Sequence, residues 1–153
     1  MYTIEPIGYV SNSRTTVTDD NWGSIISKIK ISHKLSEKCL KGIDQYSHLE
    51  IIFYFHLADP SKINISSSHP RENPGFPEVG IFAQRKKLRP NLLGSTIVKL
   101  LSFEKDTLEV SGLDAVDGTP VIDIKPVLEE FMPAEKVIQP EWTHILMKEY
   151  WKK

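Results

Sequence analysis

Over KIKI (28–31) polar and apolar residues alternate, the period-two pattern of a strand with one buried face. SHLEIIFYFHL (47–57) is almost continuously apolar and aromatic, which predicts a central strand covered on both faces. The opening YTIEPIGYV reads as a strand interrupted by Pro6. VGIF (79–82), STIVKLLSF (95–103), TLEVSGL (107–113) and PVIDI (120–124) bring the set to six or seven short strands. EKDT (104–107) supplies a tight turn between two of them. Short strands at this spacing predict a mainly β fold, a small barrel or sandwich rather than βαβ units.

Helical patterns are few. SEKCLKGI (36–43) offers one or two turns, with Ser36 as N-cap and Gly42 as the stop. PEWTHILMKEYWKK puts Trp142, Ile145, Leu146 and Tyr150 at helical spacing behind Pro140. It predicts a short C-terminal helix over about 140–151 that lays one face on the barrel or on a second subunit. The stretch 58–78 has four prolines, four serines and no periodicity, and loops of that length are functional lids or disordered segments. No repeat or linker divides the chain, so residues 1–153 are read as one domain.

Composition narrows the partners. The net charge of −1 leaves no molecule-wide attraction for nucleic acid, so phosphate binding has to be local. Cys39 is the only cysteine, which excludes an internal disulfide and a thiolate zinc cluster. No apolar run spans a membrane, and MYTIEPIGYV lacks a basic start and an apolar h-region. A cytoplasmic location is the resulting expectation.

Two stretches stand out chemically. RKKLRPN sets Arg85, Lys86, Lys87 and Arg89 beside a stiff Pro90–Asn91 corner. It is either a solvated basic loop or a built anion site, and the residues leave both readings open. GLDAVDGTPVIDIKP (112–126) carries Asp114 and Asp117 three apart in a loop. Turn capping explains these aspartates, as does presentation of a carboxylate to a ligand amine or hydroxyl. His33, His48, His56, His69 and His144 form no metal-like pairing, so no metal is expected.

VGIFAQR, the RPN corner with Gly94, GLDAVDGTPVIDIKP and GIDQYSHLEIIFYFH, taken together, resemble the TsaA-like, or TrmO, family. The resemblance runs from the IGYV strand to about Pro126. It implies a small single-domain β-barrel, a homodimer, and S-adenosylmethionine as cofactor without a Rossmann sheet. Known members methylate N6 of threonylcarbamoyladenosine beside the anticodon of threonine tRNAs. The family pattern around the donor maps onto His56, Leu57, Arg85, Ile97, Asp114, Ala115 and Val116. DDNWG (19–23) stands where tRNA enzymes carry Pro-Arg-Gln, which adds Asn21 and Trp22 to the donor residues.

Other substitutions concern the acceptor. FAQRK replaces FATRS and RPNLLG replaces RPNPIG, and the two acids of DDNWG weaken local attraction for a polyanion. Arg71, Lys86, Arg89, Asn91 and Asp117 are the expected substrate contacts, and His69 or Asp20 the expected base. A carboxylate at Asp114 or Asp117, or an aromatic face at Trp22 or Tyr46, suits a sulfonium. The leading expectation is a tRNA methyltransferase. The alternatives are the same chemistry on a small molecule or another nucleic acid, and a non-enzymatic donor-binding dimeric module.

Overall fold

Eight strands and one α-helix organise the computed structural model, which describes residues 1–153. They are β1 (Gly8–Ser11), β2 (Ile26–Ile31), β3 (His48–Tyr54), β4 (Ser67–Ser68), β5 (Val79–Gly80), β6 (Leu93–Glu104), β7 (Thr107–Ser111) and β8 (Pro120–Pro126), followed by α1 (Glu141–Met147). Six of the strands close an antiparallel barrel in the order β1-β2-β7-β6-β3-β8, while β4 and β5 form a separate two-stranded ribbon. Closure is made by β8, which pairs with β3 on one side and with β1 on the other (Gly8↔Val121). Pro120 and Pro126 occupy the two ends of β8, where a missing N–H disturbs the ladder least.

The period-two pattern reads through directly. In β2, Ser27, Ile29 and Ile31 point inward and Lys28 and Lys30 outward. The interior is one cluster of 13 buried residues, among them Ile29, Leu49, Ile51, Phe53, Leu108, Val110 and Val121. At Gly94 a Cβ would lie 2.5 Å from the Phe53 ring, so glycine lets β6 pass the edge-to-face pair Phe53–Phe55.

Several expectations are corrected. β3 is not covered on both faces: Leu49, Ile51 and Phe53 are buried, while Ile52 and Tyr54 are half-exposed on the outer wall. VGIF is a strand only at Val79–Gly80, because Ile81–Ala83 coil into a 3-10 turn. The opening strand starts at Gly8, past Pro6. SEKCLKGI becomes two 3-10 turns, Glu37–Leu40 and Ile43–Gln45, with Ser36 Oγ accepting the Lys38 N–H at 3.2 Å and Gly42 at φ 85° between them.

The stretch 58–78 is a folded flap. Two 3-10 turns, Pro60–Lys62 and Pro70–Glu72, flank β4, and Ser67 Oγ donates to Glu78 at 2.6 Å. The Asn64 N–H donates to the Leu88 carbonyl at 3.0 Å, fastening the flap to the basic corner. The C-terminal helix covers Glu141–Met147, shorter than the expected 140–151. Its apolar stripe splits: Trp142 packs on Phe76 of the flap, with centroids 6.0 Å apart, while Ile145 is 60% exposed. No helix is long and apolar enough to cross a membrane.

Candidate functional site

Three stretches that are distant in sequence meet at one end of the barrel: the 12–23 loop, the start of β6 with the segment before it, and the 113–119 loop between β7 and β8. The third is anchored by burial, since Leu113, Ala115 and Val116 are buried around a half-exposed Asp114. Asn12 stitches it to β1: its side-chain amide donates to the Ala115 carbonyl at 2.8 Å and to Ser27 Oγ at 2.9 Å. Asp117 Oδ1 accepts the Asn12 N–H at 3.0 Å, so this expected substrate contact also has a capping role.

Asp114 links β6 to the C-terminal segment. The Thr96 hydroxyl donates to its Oδ1 and the Tyr150 hydroxyl to its Oδ2. Burial raises the Tyr150 phenol far above its usual range, with the Asp114 charge and hydrogen bond adding to the effect and Arg85 opposing it. Arg85 is held on β6 as well, donating to the carbonyl of Ser95, one residue before Thr96. The charges of Arg85 and Asp19 both act on the Tyr150 hydroxyl, which in turn acts on Arg71 of the flap, so Tyr150 lies among the flap, the 12–23 loop and β6.

Trp22 is buried under Tyr150, Ile25 and Val116, and the Arg14 guanidinium lies 4.3 Å from its ring centroid. Arg14 also donates to the carbonyls of Asp20 (2.8 Å) and Asn21 (2.6 Å), holding that loop in shape, with Asn21 at φ 64°. A polar groove of about 580 Å³ runs along Ser13, Arg14, Thr18, Asp19, Asp20 and Asn21. It has no hydrophobic lining, so it suits a charged or hydroxyl-rich ligand portion.

The flap joins through Arg71, at φ 52°, whose guanidinium pairs with both Asp20 oxygens at 2.7 and 3.1 Å and reaches Asp19 at 3.9 Å. These carboxylates hold the Arg71 pKa up, the Asp20 hydrogen bond most of all. His69 is two residues away. Its Nδ1 lies 2.7 Å from the Phe76 carbonyl, an acceptor only, so Nδ1 carries the proton and a neutral ring keeps its lone pair on Nε2. His56 reaches the 113–119 loop, its Nε2 3.7 Å from where a Cβ on Gly118 would stand. Leu57 is exposed, and Ile97 faces outward across from Glu50.

The basic corner is built. Arg89 donates to the Gln84 carbonyl at 2.8 Å, and Asn91 and Leu92 take positive φ values of 66° and 52°. The six ion pairs of the chain involve none of Arg85, Lys86, Lys87 and Arg89. Buried Gln84 donates to the Ser68 (3.1 Å) and Val79 (2.9 Å) carbonyls, pinning β4 to β5, while its Oε1 has no partner. No group of three His, Cys, Asp or Glu side chains converges as a metal-ligand set.

A family model described as the tRNA-methyltransferase O N-terminal domain matches residues 16–132. The chain belongs to that family. Among relatives, a human tRNA (adenine(37)-N6)-methyltransferase is 36% identical over 104 residues, covering 68% of this chain and 23% of its own length. A Methanothermobacter thermautotrophicus protein named "Probable S-adenosyl-L-methionine-binding protein" is 33% identical over 131 residues, covering 83% of this chain and 90% of its own. The crystal structure of TrmO from Pseudomonas aeruginosa superposes with a TM-score of 0.72 at 28% identity, covering 90% of this chain and 61% of that one. This chain thus spans about a quarter of the human relative and three fifths of the Pseudomonas chain.

Within the TrmO N-terminal family frame, the structure gathers Asn21, Trp22, Arg85 and Asp114–Val116 around one end of the barrel, with His56 at the 113–119 loop. Leu57 and Ile97 sit on its outer surface. Sequence reasoning passed over Arg14 and Thr96 as site residues, and read Tyr150 only as part of a helical stripe. Arg14 lies in SNSRTTVT, which has no period to flag it. Thr96 faces inward on a strand and reads as an ordinary core position.

Proposed function

We propose that this chain is an S-adenosylmethionine-dependent methyltransferase acting on N6 of threonylcarbamoyladenosine beside the anticodon of tRNA. The observation that carries the reading is the Asp114–Arg85 end of the barrel, formed by residues of a TrmO-family chain. Its groups suit the donor molecule: a carboxylate for a cationic sulfonium or amino group, an arginine without an acidic partner for a carboxylate, and Trp22 with Val116 as apolar wall. S-adenosylmethionine supplies an electrophilic methyl group there.

The protein's own part is mainly positioning, which can supply about 7–11 kcal/mol of a barrier when geometry is near ideal. Asp114, steadied by two hydroxyls, and Arg85 hold the donor; Asn21, Trp22, His56 and Ala115–Val116 shape its surroundings, with Leu57 and Ile97 at the margin. Lys86, Lys87 and Arg89 face substrate phosphate, and Asn91 and Asp117 border the acceptor. Of the two candidate bases, His69 is favoured, because Asp20 already has both oxygens on Arg71. His69 accepts the acceptor nitrogen's proton at Nε2.

The chain works in this reading as one domain in the cytoplasm, and as a homodimer. Exposed Leu128, Phe131, Met132, Val137 and Ile138 in the extended segment after β8 support a second copy. Mass spectrometry of nucleosides from total tRNA, with and without the gene, tests the function. Loss of the methyl on threonylcarbamoyladenosine is expected. An unchanged profile from a donor-binding protein would overturn the acceptor and favour a small molecule or another nucleic acid, a reading supported by the neutralisation of Arg71 by Asp19 and Asp20.

A further inference from the structure

Residues 133–153 lie beyond the stretch matched to the family, yet they reach into the site. After α1 the chain turns and runs against the 21–23 loop. The Asn21 N–H donates to the Glu149 carbonyl at 3.0 Å, Trp22 to Tyr150 at 2.8 Å, and Gly23 to Lys152 at 3.0 Å. A Cβ at Gly23 would stand 2.0 Å from the Trp151 carbonyl oxygen, so this close approach requires glycine. The docking sets the Tyr150 ring on the Trp22–Ile25–Val116 cluster and its hydroxyl on Asp114 Oδ2.

We propose that this C-terminal strap is a working part of the donor site, with Tyr150 as a positioning residue that fixes the Asp114 carboxylate for donor binding. The inference rests on the reading of Asp114 as a donor contact. An ionised carboxylate has about four lone-pair positions, and Thr96 and Tyr150 take one on each oxygen. The remaining two point to fixed directions instead of sweeping with a free side-chain rotation. Both partners are neutral, so Asp114 keeps its full charge for a cationic ligand. Arginine in the same place would cancel that charge, and the structure keeps Arg85 on the Ser95 carbonyl instead. Because burial keeps the phenol protonated, Tyr150 remains a donor at every ordinary assay pH.

The test compares Tyr150→Phe, Gly23→Ala and Asp114→Asn in the full chain. Calorimetric affinity for S-adenosylmethionine and for S-adenosylhomocysteine, donor KM, and kcat are measured at a temperature where circular dichroism shows each variant folded. Phenylalanine keeps the ring packing and removes only the hydroxyl. A hydrogen bond to a charged group predicts about tenfold weaker S-adenosylmethionine binding, with KM rising and kcat nearly unchanged. Gly23→Ala, which unseats the strap without touching Asp114, is expected to raise KM likewise.

Donor affinity at the parent value in both Tyr150→Phe and Gly23→Ala, while Asp114→Asn loses it, overturns the strap's role and leaves the site reading standing. Parent affinity in Asp114→Asn removes the site reading itself. A fall in kcat with KM unchanged in Tyr150→Phe also overturns the proposal, since it assigns Tyr150 to donor binding.

Discussion

Tyr150 bears on stability as well as on binding. A tyrosine in the unfolded chain ionises near pH 10, while the folded Tyr150 holds its proton well beyond that. A group whose pKa is raised by folding contributes stability that is complete below the unfolded pKa and lost as pH climbs above it. The unfolding free energy of the parent protein should therefore decline above about pH 10 by at most about 1.4 kcal/mol per pH unit from this residue. Tyr150→Phe should start lower at neutral pH, by about 1–3 kcal/mol for the unpaired carboxylate oxygen, and decline less steeply. Parallel pH–stability curves for the two proteins would contradict the placement of this hydroxyl. Gly23 makes the complementary case: Gly23→Ala should cost about 1–3 kcal/mol by overpacking against the strap. Amide hydrogen exchange at Asn21–Gly23 should then speed up while the β2–β7 ladder keeps its protection.

Among the elements, the segment 84–92 is where charge and shape combine. Its Lys86 and Lys87 have no acidic partner, yet the backbone carrying them is fixed by Arg89 on the Gln84 carbonyl and by Asn64 on that of Leu88. If the corner meets tRNA phosphates, Lys86→Ala with Lys87→Ala should weaken tRNA binding and flatten its dependence on log salt by about 0.7–0.9 for each phosphate no longer neutralised. Donor affinity should be unaffected, and an unchanged salt slope would remove the corner from the tRNA surface. Strand alternation made β2 legible, and turn chemistry made the Glu104–Thr107 hairpin and the Ser36 cap legible. β3 misled because Ile52 and Tyr54 are apolar residues on a half-exposed wall, which a run of apolar letters cannot distinguish from a second buried face. The flap was unreadable because its order comes from long-range partners: Arg71 with Asp20, Phe76 with Trp142, Gln84 with Ser68. Tyr150 escaped for a related reason. The helical spacing that singled it out ends at Met147, and its real neighbour Trp22 comes from the other end of the chain.

Taken whole, the molecule has one main core reached by every barrel strand, so a defect in one strand is felt by all. Leu108, fully buried on β7, packs in the cluster that includes Val10, Leu49 and Val121. Leu108→Ala should lower stability by about 2–5 kcal/mol and shift the urea midpoint without changing the slope of the transition. A broadened or two-step transition would mean that the barrel unfolds in parts. Barrel closure has another consequence, for the order of events in folding. Gly8 finds Val121 only after nearly all the intervening barrel is made, which gives the fold a high share of non-local pairings and a slow search. During synthesis β1 and β2 wait with an open edge on β1, able to pair with a neighbouring chain, until β8 arrives and seals it. Once sealed, the barrel offers no free edge among its six strands. The hazard of misassembly is thus confined to the interval before β8 docks.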